Sequence, residues 1–130
     1  MLFRSRTLAH QVTEALEATH TDTVWEFGAG SGALALQLLE ALGDKVQRYT
    51  IVDVSGSLRS RQQATLEKYI HKVQWVDVLP DVISGVVVGN EVLDSMPVQL
   101  LHRQNGVWYE RGVEWYQSLR WKDQIGRAHV

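Results

Sequence analysis

A glycine-rich turn near the start of the chain carries residue types that a cofactor site needs. It lies in the segment Val24-Trp25-Glu26-Phe27-Gly28-Ala29-Gly30-Ser31-Gly32-Ala33-Leu34. Glycine tolerates positive φ in a tight turn, and the absence of a Cβ lets a ligand lie against the backbone. A helix that begins after the turn points free N–H groups and a positive dipole end at that ligand. The segment predicts a strand, a turn and a helix that bind a nucleotide-like cofactor. The alternative is a turn that only packs the strand against the helix.

Acidic or amide side chains stand at the ends of all four predicted strands of a sheet. The carboxyl ends of parallel strands line one edge of an open α/β sheet, so we expect these side chains to converge. Asp53 lies about 20 residues after Gly32, where a carboxylate accepts from ribose hydroxyls. Asp77 can meet an adenine amino group, and Glu26 can accept from loop N–H groups or hold an ammonium group. An N-cap role for Asp53 and a turn role for Asp77 remain open. The predicted cofactor-binding residues are Glu26, Gly28, Ala29, Gly30, Gly32, Asp53, Val54, Asp77 and Asn90.

The residues around the turn constrain the charge of the ligand. Neither lysine nor arginine occurs from Thr21 to Asp44, and the Gly-Lys-Ser/Thr of a P-loop is absent. An acidic crevice disfavours polyphosphates and favours a ligand with an amine, a sulfonium, a ribose diol and an adenine amine. S-adenosyl-L-methionine carries all four groups and is the predicted cofactor.

The composition suits one globular domain of 130 residues. Thirteen Lys and Arg against fifteen Asp and Glu give a net charge of -2, which provides no electrostatic case for nucleic acid or an anionic membrane. The absence of cysteine excludes disulfides and thiolate chemistry. The five histidines lack metal-ligand spacing, so no metal site is predicted. No apolar run approaches the roughly 20 residues of a membrane span, and no signal peptide is recognisable. A cytosol-like compartment is expected.

Strand and helix patterns alternate along most of the chain, which predicts an α/β fold with a mostly parallel sheet and flanking helices. The helices are expected at 7–19, 31–42 and 58–70, with Thr7 and Ser57 as N-caps and Gly43 as the stop of the second. The strands are expected at 23–27, 47–54, 73–76 and 85–89. The last strand is wholly apolar and is expected to be covered on both faces.

The pattern changes near the end of the chain. Strand-like segments at 98–103 and 107–111 flank Asn105-Gly106, a strong hairpin signal. They predict an antiparallel edge or the start of an inserted lobe, and 114–121 stays unassigned. Residues 1–5 and 124–130 look like translated sequencing-adapter DNA, which predicts non-native ends on one truncated domain. Trp25, Trp75 and Trp108 are expected in the core, and Arg59 and Arg61 on a solvated helix face.

The glycine segment resembles the first motif of class I methyltransferases, whose fold is Rossmann-like. Segments 49–62 and 106–113, together with the Asn-Glu-x-Leu-Asp-x-x-Pro-Val run from Asn90 to Val98, are similar to the MidA family (also called DUF185). That family includes the mitochondrial arginine methyltransferase that helps to assemble complex I. The resemblance covers roughly Thr7 to Val113, and family members are much longer.

The resemblance implies S-adenosylmethionine binding and, at least for mitochondrial members, protein arginine methylation. An arginine acceptor is protonated in water, so carboxylates must hold and orient it. Glu91 and Asp94 are the candidates and Asn90 can add an amide contact, which makes these three the predicted catalytic residues. Alternatively, Asn90 and Asp94 cap the turn before Pro97. The implied partner is a protein substrate, a complex I subunit in mitochondrial relatives. The compartment is a bacterial cytoplasm or a mitochondrial matrix.

Two other functions remain open. An NAD-binding oxidoreductase fits Gly28-x-Gly30-x-x-Ala33 and Asp53 formally, but it fits Glu26 and the acidic segment after the fourth strand poorly. A non-catalytic relative that acts as an assembly or interaction module would keep its function without the cofactor residues.

Overall fold

The computed structural model describes residues 2–124, which form two compact units that divide between Asp94 and Ser95. The first unit contains a parallel four-stranded sheet in the order β3-β2-β1-β4. Its helices are α1 (Leu2–Thr19), α2 (Ala33–Leu42) and α3 (Gly56–Thr65), and its strands are β1 (Thr23–Phe27), β2 (Arg48–Val52), β3 (Val73–Val76) and β4 (Val86–Gly89). The predicted α/β fold is therefore confirmed. The interpretation of the chain as one truncated domain stays a prediction.

The strand order places the site. The chain builds outward from β1 to β3 and then returns to add β4 on the other side of β1. The order thus reverses between β1 and β4, and such a switch point opens a crevice at the carboxyl ends of the two strands. Val24, Tyr49 and Ile51 on the central strands are fully buried against Leu38 and Leu39 of α2. This packing holds the crevice on a rigid sheet.

Two predicted helix starts are wrong. Helix α1 begins at Leu2, so Thr7 lies inside it and is not its N-cap. Helix α3 is capped by Ser55 instead of Ser57, since the extended backbone at Ser55 lets its Oγ accept from the Leu58 N–H at 3.5 Å. Either serine satisfies the sequence pattern, and only the backbone conformation distinguishes them. The predicted stop at Gly43 is confirmed.

The expectation that β4 is covered on both faces is wrong. Val88 is buried, but Val87 on the opposite face is 52% exposed. The described residues leave the Val87 face largely uncovered, and β4 also lies at the edge of the described sheet, where it pairs with β1 alone among the described strands. An apolar composition allows both faces of a strand to be buried, but it does not show that other elements pack on both. Within residues 2–124, one face of β4 is left uncovered.

The second unit is an antiparallel sheet of β5 (Leu100–Gln104), β6 (Val107–Tyr116) and β7 (Ser118–Gln124). The predicted hairpin turn is confirmed, with φ of 50° at Asn105 and 82° at Gly106. The unassigned stretch 114–121 contains a second turn at Gln117. The core prediction for Trp108 is wrong, since its side chain is exposed in this unit. Across β6 and β7, Arg111 Nε donates to Asp123 Oδ1 at 2.6 Å, and this contact lowers the pKa of Asp123 to about 2.

No helix within the described residues is long and apolar enough to span a membrane.

Candidate cofactor site

The glycine turn between β1 and α2 is built from backbone that favours glycine. Gly28, Gly30 and Gly32 have φ of 64°, 54° and 81°. Gly32 precedes the first residue of α2, and its N–H donates to Ala29 O at 2.8 Å, which closes the turn. A Cβ at Gly30 would meet nothing within 4 Å, so that position opens onto space in which a ligand can approach the backbone.

A cavity of about 780 Å³ lies beside this turn, a size typical of small-molecule sites. It is lined by residues of the turn, of β4, of α1 and of α2. Glu26 and Asn90 both line it, so the ends of β1 and β4 meet at one cavity. Leu8 of α1 and Gln37 of α2 also line it, and no sequence pattern had indicated them. No described lining residue is lysine or arginine, so Glu26 is the charged group of the cavity.

Glu26 is held in an unusual electrostatic state. Its side chain is 2% exposed, and its Oε2 accepts a hydrogen bond from the Tyr49 hydroxyl at 2.8 Å. Burial raises the pKa of Glu26 to about 7, although the Tyr49 hydrogen bond favours the charged form. Burial and the nearby Glu26 carboxylate in turn raise the pKa of Tyr49. An ammonium group beside Glu26 would favour the ionised carboxylate.

Asp53 follows β2 and is fixed by two donors. The Ser55 N–H donates to its Oδ1 at 2.9 Å, and Gln62 Nε2 donates to its Oδ2 at 2.9 Å. A carboxylate has about four acceptor positions, so both oxygens can still accept from ribose hydroxyls. The Gly28 N–H bonds to Val52 O, which places the glycine turn next to Asp53. Val54, the next residue, is exposed.

Asp77 follows β3, beside Asp53, whose N–H donates to Val76 O. The Arg59 guanidinium of α3 contacts the Asp77 carboxylate through Nη2 and Oδ1. The prediction that Arg59 lies on a solvated helix face is therefore wrong, because the helix turns this side chain toward the end of β3. The adenine contact of Asp77 stays a prediction.

The segment after β4 packs directly on the glycine turn. A Cβ at Gly28 would lie 3.1 Å from Val92 Cγ2, and one at Gly89 would lie 3.3 Å from the same atom. Glu91 has a positive φ of 52°, which is uncommon for a residue with a long side chain. Asp94 lies in a short 3-10 helix, Leu93–Ser95. Glu91 and Asp94 are exposed, and unlike Asn90 neither lines the cavity.

The sequence reasoning missed Tyr49 and Gln62. The sequence did not indicate a role in the site for Tyr49, since an aromatic residue in a strand is usually predicted to be a core residue. Gln62 gave a weak signal. It stands four residues from both Leu58 and Leu66, and a polar residue on an otherwise apolar helix face is unusual.

The sheet and site together define an α/β protein with a nucleotide-cofactor crevice at its switch point. Residues 7–129 match a protein-family model described as "Putative S-adenosyl-L-methionine-dependent methyltransferase". The chain belongs to this family, and its cofactor is the one that the residue chemistry predicts.

Two solved structures from Burkholderia thailandensis are similar to the chain. A COG1565 superfamily member with bound S-adenosyl-homocysteine is 44% identical, with a TM-score of 0.74 over 98% of this chain and 35% of that one. A native structure of a COG1565 superfamily protein is 46% identical, with a TM-score of 0.72 over 98% of this chain and 36% of that one. The chain thus spans about a third of the length of these relatives. No curated protein matches it.

Proposed function

We propose that the chain is the cofactor-binding part of an S-adenosylmethionine-dependent methyltransferase. One observation carries the proposal. Two carboxylates, Glu26 and Asp53, lie at the ends of neighbouring strands beside an open glycine turn, and no described residue that lines the cavity beside Glu26 is basic. These groups suit a ligand with an ammonium group and a ribose diol, and the described lining offers no cation for a pyrophosphate. Membership of the family supports the same assignment.

Each group of the site has a distinct part in binding. Glu26 would hold the ammonium group, Asp53 would accept from the ribose hydroxyls, and the backbone N–H groups at the start of α2 would face the ligand carboxylate. When bound, the cofactor supplies a methyl group on a sulfonium that an acceptor attacks in line. Orientation and exclusion of water account for much of the rate of such a transfer, so the rigid sheet edge is the contribution of this chain.

Calorimetric titration of the chain tests the proposal. We expect saturable binding of S-adenosylhomocysteine and no heat of binding from NAD under the same conditions. Failure to bind S-adenosylhomocysteine would contradict the proposal for this chain. Saturable binding of NAD would instead support the dinucleotide reading, which needs a different contact for the pyrophosphate.

A finer proposal concerns the acceptor and follows the MidA-like segment from Asn90 to Val98. We infer that Glu91 and Asp94 hold a protein arginine, with Asn90 as an amide contact at the cavity. The positive φ of Glu91 supports this, because backbone strain at a non-glycine residue is retained where surroundings impose it, often at functional sites. By the same resemblance we propose a bacterial cytoplasm or a mitochondrial matrix, and in the latter a respiratory complex I subunit as substrate.

Replacement of Glu91 by glutamine tests the acceptor proposal. We expect Glu91→Gln in the whole protein to lower methyl transfer to an arginine peptide by roughly tenfold or more. The reason is that the guanidinium of the bound acceptor arginine loses a charged hydrogen-bond partner. Binding of S-adenosylhomocysteine should be unchanged. Transfer of radiolabel from methyl-tritiated S-adenosylmethionine measures the first quantity, and calorimetry measures the second. Equal transfer by the variant and wild type, or transfer to a lysine peptide only, would contradict an arginine site at Glu91.

A further inference from the structure

Gln62 is a fully buried polar residue at the junction of three elements that form the site. Its Nε2 donates to Gly30 O in the glycine turn at 3.0 Å and to Asp53 Oδ2 after β2 at 2.9 Å. Its Oε1 accepts from Trp75 Nε1 on β3 at 2.8 Å. One side-chain amide therefore joins the turn, the carboxylate and the third strand.

The partners of Gln62 allow only one orientation of its amide. The Gly30 carbonyl and the Asp53 carboxylate can only accept hydrogen bonds, so both require the NH₂ end. The Trp75 indole can only donate, so it requires the oxygen end. Both protons and an oxygen lone pair of the amide are thus used. No other natural side chain of equal size offers two donors and one acceptor in these directions.

Helix α3 is also held close to the glycine turn. A Cβ at Gly32 would lie 3.4 Å from Gln62 Cα and 3.6 Å from its Cβ, so the turn packs directly on the backbone of the helix. The start of α3 is tied to the same carboxylate, because the Ser55 N–H donates to Asp53 Oδ1. The turn thus packs on atoms that a substitution of the amide keeps, whereas the direction of Asp53 depends on the amide itself.

We propose that Gln62 is a positioning residue that aims the Asp53 carboxylate at the ribose hydroxyls of the cofactor, while its hydrogen bond to the Gly30 carbonyl holds the amide in place. The inference rests on the proposed function, since it assigns a task to a contact of that same site. It adds a residue that acts on the ligand through Asp53. A purely structural glutamine would instead affect every ligand of the crevice equally.

Calorimetric titrations with two ligands separate these roles. The ligands are S-adenosylhomocysteine and its 2′,3′-dideoxy analogue, which lacks the hydroxyls that Asp53 would hold. Gln62→Met keeps the size of the side chain and removes its donors. Gln63→Met, on an exposed position of the same helix, is the matched control.

We expect Gln62→Met to weaken S-adenosylhomocysteine binding about tenfold, because one charge-assisted hydrogen bond no longer orients the carboxylate. Affinity for the dideoxy analogue should stay within about twofold of wild type, and Gln63→Met should change neither. Gln62→Met should have no further effect in an Asp53→Ala background. Equal weakening of both ligands, or no weakening of either, would overturn the proposal.

Two further measurements distinguish failure of this inference from two other outcomes. These are a variant that does not fold and a proposed function that is wrong. Wild type is titrated first, and absence of binding there rejects the proposed function and this inference with it. If circular dichroism shows that Gln62→Met is unfolded, Gln62→Asn, which keeps the amide but shortens its reach, should give the same ligand selectivity. In the free protein, the Trp75 indole N–H should exchange faster in Gln62→Met than in Gln63→Met, and equal rates would contradict the contact.

Discussion

Replacement of Asp53 by alanine is expected to weaken binding of S-adenosylhomocysteine by about 100-fold. The carboxylate is already oriented in the free protein, since Ser55 and Gln62 each hold one of its oxygens at 2.9 Å. It can therefore accept from two ribose hydroxyls without a cost for ordering. A hydrogen bond to a charged group contributes roughly 1.5–3 kcal/mol. Two such bonds at the lower end of this range give about 3 kcal/mol, which corresponds to the stated loss.

Calorimetry of Asp53→Ala against Asp81→Ala measures this effect. Asp81 is an exposed aspartate of the loop before β4, so its removal controls for the change in net charge. Asp53→Asn should lie between Asp53→Ala and wild type, because the amide keeps one acceptor oxygen and loses the charge. Wild-type affinity in Asp53→Ala would mean that the ribose lies elsewhere. A comparable loss of affinity in Asp81→Ala would mean that the loss in Asp53→Ala comes from long-range electrostatics and not from a contact with the ribose.

The second large effect concerns Glu26 and the pH dependence of stability. The pKa of Glu26 is raised from 4.5 to about 7 in the folded chain, because burial penalises the carboxylate. Between these two values the folded protein holds a proton that the unfolded protein has released. The protonated group thus contributes its full stability below about pH 4.5, and this contribution is lost as the pH rises through about 7. The difference is on the order of 3 kcal/mol.

Glu26→Gln should remove this dependence, since the amide keeps the shape of the protonated acid and cannot ionise. We expect the free energy of unfolding of Glu26→Gln relative to wild type to increase by about 3 kcal/mol between pH 4.5 and pH 8. Urea unfolding at several pH values measures it, with Glu40→Gln on the exposed side of α2 as the control. A constant difference between Glu26→Gln and wild type over that range would show that Glu26 titrates alike in both states.

Ligand binding should respond to pH in the opposite direction. The ammonium group proposed to lie beside Glu26 favours the ionised carboxylate, so affinity for S-adenosylhomocysteine should rise between pH 6 and pH 8. The same titrations on Glu26→Gln should show weaker binding at pH 8 and little dependence on pH. The cost of burying Glu26 in the free protein would then be offset when the ligand is bound.

Local sequence signals located most of the elements correctly. The glycines after β1, the apolar strands and the Asn105-Gly106 turn each depend on backbone preferences of a few neighbouring residues, so their positions could be predicted. Helix starts were less predictable, because Ser55 and Ser57 are equivalent as caps until the backbone is known. The second hairpin at Gln117 carries no glycine or proline and was missed for that reason.

Some residues of the candidate site could likewise be predicted from the sequence, and other contacts of the site could not. Spacing along the chain predicted that Glu26, Asp53 and Asn90 lie at one edge of the sheet, since they follow the carboxyl ends of parallel strands. Which of these residues lie close together depends on the order of the strands. The contact of Arg59 with Asp77 and the bridge through Gln62 could not be predicted, because they depend on the rotation of α3 about its axis. That rotation is decided by packing summed over the whole helix.

The sequence by itself determined the position of the glycine turn and of the acids at the strand ends, from which an S-adenosylmethionine site is predicted, because residue chemistry and local backbone geometry are properties of short segments. Only the tertiary structure decided that β4 lies beside β1, so that Asn90 shares a cavity with Glu26. It alone decided that Tyr49 meets Glu26 in a buried pair and that Gln62 holds Asp53. These contacts join residues far apart in the chain, and their formation depends on the packing of the entire core.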